Sequence, residues 1–212
     1  MRFGHHATLI AISTFTFAII TLATAVSAED RLPTIPAAKY TEEQAKAATD
    51  FEAARKVPVF GPFEPLMHSP QVMTLSRSMG DYLRYKSAIG NSLSELAILV
   101  TAREWTQDYE WYVHYPIALK SGIKVDIADA IADGRRPAGM SDDQEMVYEY
   151  CVELHRTKRV SDRTFERVDK RFGKQGIVDL TAINGYYTLL AMELNAAQYQ
   201  IPKDGKKLSR LP

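Results

Sequence analysis

The chain has 212 residues, and its 26 Lys plus Arg are balanced by 26 Asp plus Glu. Zero formal net charge leaves no global field to draw it to nucleic acid or an anionic membrane, although Lys203, Lys206, Lys207 and Arg210 cluster near the C-terminus. The single cysteine, Cys151, leaves no internal disulfide, no Cys-x-x-Cys redox pair and no Cys/His zinc spacing.

Arg2 precedes an apolar run from Leu9 to Val26, and Val26-Ser27-Ala28 has the small-x-small pattern of a cleavage site. This is the layout of a signal peptide over residues 1–28, which predicts a periplasmic or secreted protein free of the membrane after cleavage. The alternative is an uncleaved N-terminal membrane anchor, for which the run is near the lower length limit. Residues 29–56 form an N-terminal arm and helix. In that stretch Thr41 with Gln44 has the spacing of a capping box, and the helix must stop before Pro58. Residues 57–212 form the main body, long enough for one domain with a substantial core.

VPVFGPFEPLMHSP, from Val57, is punctuated by proline and glycine yet rich in apolar residues, so it reads as an ordered loop packed across the body. His68 in this loop is placed either to close over a site or simply to meet solvent. From Pro70, Val72, Met73, Leu75, Met79, Tyr82 and Leu83 recur at helical spacing. Ser92 is expected to open the next helix, with Glu95 at its capping-box position. Thr106-Gln107-Asp108 reads as a fresh N-terminus for a helix that ends at Gly122 and has Pro116 inside it, which predicts a kink or a tight interhelical contact. A short helix in VDIADAIADG follows, then one capped by Ser141 and Gln144. Another opens at Ser161 and ends near Gly173, and a long last one runs from Ile177 to Ala197. No segment reads best as an alternating strand, so the fold class is all-α, a single-domain helical bundle of about eight helices.

Glu110 and His114 are four residues apart and share a helix face. A carboxylate beside an imidazole can orient the ring and leave a group able to exchange a proton near neutral pH. Glu95 can approach from the preceding helix, although capping alone would also explain it. Arg103 and Gln107 extend the same stripe backward if the helix is continuous; salt bridging and N-terminal capping are their plainer roles. Trp105, Trp111 and Tyr112 build core or subunit contact, or wall an apolar pocket. Cys151 shares the apolar side of its helix with Val147, Tyr150 and Leu154, as a buried inert thiol does.

Glu95, the YEW of residues 109–111, His114, Ala118, Gly122 and the IADAIADG downstream together resemble the signature of the carboxymuconolactone decarboxylase family. The likeness is strongest over residues 90–135. The resemblance implies an alkylhydroperoxidase D-like helical fold, assembled as a trimer or hexamer. The family's peroxidase branch carries Glu, then Cys-x-x-Cys, then His; here Gln107 and Glu110 stand where the cysteines would be. The decarboxylase branch is closer, which implies a lyase using no metal or organic cofactor on a small organic acid or lactone. On that implication Glu95, Glu110 and His114 are the catalytic candidates, with His114 as proton donor, Glu110 orienting it and Glu95 tuning the pocket. Arg103, Trp111 and His68 are the substrate-binding candidates. Peroxide reduction and a non-catalytic helical binding protein are the alternatives. An exported protein also implies a substrate other than the cytoplasmic lactone of aromatic catabolism.

Overall fold

The structure, a computed structural model, describes Met1 and residues 30–211. The expected signal peptide, beyond Met1, lies outside the described residues. Among the described residues the regular structure is helical, with no strand. None of these helices is long and apolar enough to cross a membrane.

α1 (Glu42–Arg55) opens on the expected capping box: the Thr41 hydroxyl accepts from Gln44 N at 3.2 Å, and the Gln44 side chain accepts from Thr41 N at 3.0 Å. The Pro-rich segment after it is ordered against the body. Its single helical turn, α2 (Phe63–Leu66), buries Phe63 and Leu66, and Met67 follows them inward. Phe51, Phe60 and Phe63 pack edge-on or tilted, with centroids 5.0 to 6.2 Å apart.

α3 (Pro70–Tyr85) starts on a proline, whose fixed φ suits the first helical position. Of its apolar residues only Met73 and Leu83 face the core, on a strip completed by Ser76 and Gly80. Gly80 sets how closely this helix approaches the last one: a Cβ there would fall 2.4 Å from the Tyr186 hydroxyl.

α4 (Asn91–Glu104) is the hub, packing against α3, α5, α6, α7 and α8. Its start differs from the expectation. Gly90, at φ 80°, occupies the N-cap with no side-chain cap, and Ser92 and Glu95 form no capping box. Every residue from Ser94 to Arg103 is buried, so Glu95 lies inside the protein rather than folded back on a helix end.

The break at Thr106 is real: φ there is 46°, and Gln107 caps α5 (Asp108–Lys120) by accepting from Tyr109 N and Glu110 N. Pro116 is exposed, so its ring meets solvent and the expected tight interhelical contact is absent. α6 (Val125–Ala132) and α7 (Asp142–Thr157) follow, the latter with the Ser141–Gln144 capping box. The last two expected helices run together as α8 (Asp162–Ala197), broken by the non-helical Gly173 at φ 68°, ψ −177°. The chain then returns along α5 and α6 as a tail that buries Leu208.

Candidate active site

α4, α5, α3 and α8 each send one face into a shared interior. A carboxylate cannot remain ionised there without partners, because burial in a low-dielectric medium disfavours charge. Glu95 meets that requirement from two sides. Its Oε2 lies 2.7 Å from His114 Nδ1, and its Oε1 lies 3.6 Å from Arg84 Nη2. An ionised carboxylate only accepts, so Nδ1 is the donor, and the other ring nitrogen is left free for chemistry. That nitrogen, Nε2, lies 3.4 Å from Glu110 Oε2. The Tyr187 ring stands edge-on to the imidazole with centroids 5.1 Å apart, which fixes the plane of His114.

The Glu110–His114 pairing read from the i, i+4 spacing is thus present, but the shorter bond to the imidazole comes from Glu95. Glu95 holds the Nδ1 edge of the ring and Glu110 faces its Nε2 edge, so the closer, orienting contact that the resemblance assigns to Glu110 is made by Glu95. All three side chains are at most 5% exposed. Burial pushes the Glu110 carboxyl above its ordinary range, against the pull of His114 and Arg84, with Glu95 adding to the rise. Burial opposes the Arg84 charge, but Tyr187, Glu95, Tyr85 and Glu110 outweigh it, and the guanidinium holds its proton.

A cavity of about 30 Å³ opens beside these groups, lined by Arg84, Glu110, His114, Tyr109, Tyr186 and Tyr187, together with Phe60 and Phe63. Arg84 Nε and Glu110 Oε1, on residues that line it, are buried without a hydrogen-bond partner in the protein, as is Glu95 Oε1, on a residue that does not line it. Unpaired buried polar atoms cost about 1–3 kcal/mol each, so a cluster of them marks a place built to receive a polar group. The charges sum to zero in two arrangements. Either Glu110 is protonated and His114 neutral, or the proton sits on His114 between two carboxylates. The two differ by one proton passed between Glu110 Oε2 and His114 Nε2, with no change in net charge.

The remaining sequence candidates lie elsewhere. Arg103 is not beside His114: its guanidinium donates to the carbonyls of Ala132 and Ser209 at 3.0 and 2.9 Å and to the Thr106 hydroxyl at 2.6 Å. It is committed as a clasp for the C-terminal tail, away from His114, which corrects the expectation of a carboxylate anchor. His68 pairs with the Pro33 carbonyl at 3.1 Å near the surface, away from the cavity. Trp111 lines a different cavity, on the other side of α5, with Tyr112 and Tyr115. Gln107 is a cap, and its amide also donates to Asn195. Cys151 is fully buried, with its thiol pushed up to about 12 by burial.

Sequence reasoning missed Arg84 and Glu193. Arg84 is one turn beyond Gly80 on α3, and a long cation just after a small-residue strip was the available signal. Glu193 follows the cavity-lining Tyr186 and Leu190 of α8 at i+7 and i+3; it does not itself line the cavity, but its carboxyl is close enough for Glu110 to raise its pKa.

No family model matches the sequence, and no curated protein matches it. Among solved structures the chain is similar to the crystal structure of an alkylhydroperoxidase AhpD core, an uncharacterized peroxidase-related protein from Ralstonia eutropha JMP134. The TM-score is 0.68 at 16% sequence identity, over 84% of this chain and 95% of that one. The helical order, the central α4 and this match agree: the chain has the all-α fold of the alkylhydroperoxidase AhpD core, as the resemblance of residues 90–135 implies.

Proposed function

We propose that the Glu95–His114–Glu110 cluster is a proton-transfer site of a lyase-like enzyme acting on a small organic acid or lactone. The observation that carries this reading is the buried line Glu95–His114–Glu110, with Arg84 beside it and unpaired atoms facing a cavity. In decarboxylation the bond to the carboxyl carbon breaks, carbon dioxide leaves, and the electron pair stays on the adjacent carbon. That carbon takes its proton from His114 Nε2, and Glu110 restores it. Arg84 replaces Arg103 as the carboxylate anchor on this reading, since it is the guanidinium that borders the cavity. A cavity of about 30 Å³ holds only a water-sized group, so on this reading a substrate needs the cavity to widen.

The structural neighbour's description as peroxidase-related favours a second reading, peroxide reduction. Disulfide cycling needs two thiols, and this chain has one, buried and on α7. We extend the proposal to export and to self-assembly, with cleavage near Ala28. A mature N-terminus mapped far from Glu29 by mass spectrometry removes the first of these.

The test is carbon dioxide release from a panel of carboxylated lactones and β-keto acids, wild type against His114→Ala. We expect the variant to lose about 100-fold or more, the usual worth of a positioned general acid. Equal release by both proteins sinks the role of His114. No release from any compound by the folded protein sinks decarboxylation of these substrates.

A further inference from the structure

A partly apolar cavity lies on the side of α5 away from His114. With about 100° per residue, Tyr109, Glu110, Val113 and His114 project to one side of the helix. Trp111, Tyr112 and Tyr115 project to the opposite side and line a second cavity of about 230 Å³. Asp129, Ala132 and Asp133, at the end of α6, form another wall, and Lys206 to Ser209 of the tail form the lid. The two cavities share no lining residue.

The lid is fastened, not loosely laid. Leu208 N donates to Asp108 Oδ1 at 2.9 Å, and Arg103 donates to the Ser209 carbonyl at 2.9 Å. Arg210 bridges the Asp108 carboxylate and the Thr106 carbonyl at 2.7 and 2.8 Å. Two arginines and an aspartate therefore hold Lys206 and Lys207 over the aromatic floor, which gives the buried Arg103 its structural reason.

The hydrogen-bonding balance of the walls fixes what can enter. The acids already have partners: Tyr115 donates to Asp129 at 2.8 Å, and Asp133 pairs with Arg135 at 2.8 Å. Partial burial and the bond to Asp129 push the Tyr115 phenol up to about 12, so it stays a donor. Among the described residues Lys206 and Lys207 join none of the ion pairs of this region, which run from Arg210 to Asp108 and from Arg135 to Asp133. The Trp111 indole N–H is likewise uncommitted among the described residues, whereas that of Trp105 is bound to Thr188. The cavity thus offers aromatic walls and two lysines unpaired among the described residues, against one uncompensated acid, Asp129, whose bond from the neutral Tyr115 phenol leaves its charge in place. Its volume suits one ring, since an apolar cavity of about 150 Å³ takes benzene.

We propose that this cavity is a second ligand site, for a single-ring aromatic carboxylate, with the ring against Trp111 and Tyr115 and the carboxylate at Lys206 and Lys207. The proposal does not depend on the chemistry at His114.

The experiment titrates the purified full chain with benzoate, and in parallel with benzyl alcohol, following the two tryptophan indole N–H resonances. The peak lost in a Trp111→Phe variant identifies Trp111. Benzoate is expected to shift the Trp111 resonance saturably at up to millimolar concentration while leaving Trp105 in place. Affinity should fall at least about tenfold in Lys206→Met/Lys207→Met, whose circular dichroism should match wild type. Equal binding of benzoate and benzyl alcohol overturns the anion preference. Unchanged benzoate affinity in the double variant, or no saturable shift at Trp111 in the folded protein, overturns the site.

Discussion

Glu193 carries two carboxyl oxygens that are buried and meet no hydrogen-bond donor. Burial, reinforced by Glu110, raises its pKa from 4.5 to about 8. At neutral pH the native state therefore holds a proton that the unfolded chain releases. Where the native state binds more protons, stability falls as pH rises. The contribution is fully present below about pH 4.5 and is lost progressively toward pH 8 and above. Glu110, raised in the same direction, adds to the slope. Glu193→Gln keeps the shape and removes the titration. We expect it to match wild type in urea melts near pH 5 and to exceed it at pH 9 by about 1–2 kcal/mol, a figure discounted for partial solvent screening. Parallel stability–pH curves for the two proteins would show that Glu193 ionises freely in the native state. The residue-level site was half legible in the sequence. Glu110 and His114 announce each other through their i, i+4 spacing, and Glu95 was in reach through the resemblance. Arg84 and Glu193 were harder to reach, because they join from other helices, α3 and α8, and no i, i+4 spacing links them to His114.

At the scale of helices, the termini that local chemistry dictates were legible and the one that packing dictates was not. Thr41 with Gln44 and Ser141 with Gln144 cap as their spacing demands. Ser92 with Glu95 has the same kind of spacing, yet Glu95 gives up a cap for His114 and Arg84. A helix buried from Ser94 to Arg103 gains more from core partners than from an end bond worth about 1 kcal/mol. Gly173 is the converse case: the glycine was the visible stop signal, and the backbone does leave helical geometry there, at φ 68° and ψ −177°. That region is essentially closed to residues with a Cβ, while the space around the position is open, with nothing within 4 Å. The cost of Gly173→Ala is then conformational rather than steric, about 1–3 kcal/mol by urea unfolding. A loss below about 0.5 kcal/mol would mean that the two halves of α8 can straighten without penalty.

Among the described residues an apolar face of α3 is left uncovered by the core. Val72, Leu75, Met79 and Tyr82 follow one another at helical spacing along α3, and all are exposed, Leu75 by 65%. The sequence could not separate them from Met73 and Leu83, because together they form one continuous apolar arc about half-way around this helix. The core strip is instead marked by the small Ser76 and Gly80, which let α3 close on Tyr186. Single exposed apolar residues are ordinary, but a continuous stripe signals a surface that is covered in use. Val178 and Met192 are exposed on α8, the neighbour of α3. A second copy of the chain is the occupant that suits the proposed homo-oligomer. Burying a side chain of this size contributes roughly 1.5–3 kcal/mol, so two charges placed mid-stripe remove the attraction and add an unpaired desolvation cost. In sedimentation at micromolar concentration we expect the wild type to assemble and Leu75→Glu/Met79→Glu to run as a folded monomer. A wild-type monomer would end the assembly proposal. An assembled double variant would keep it and move the contact to another face.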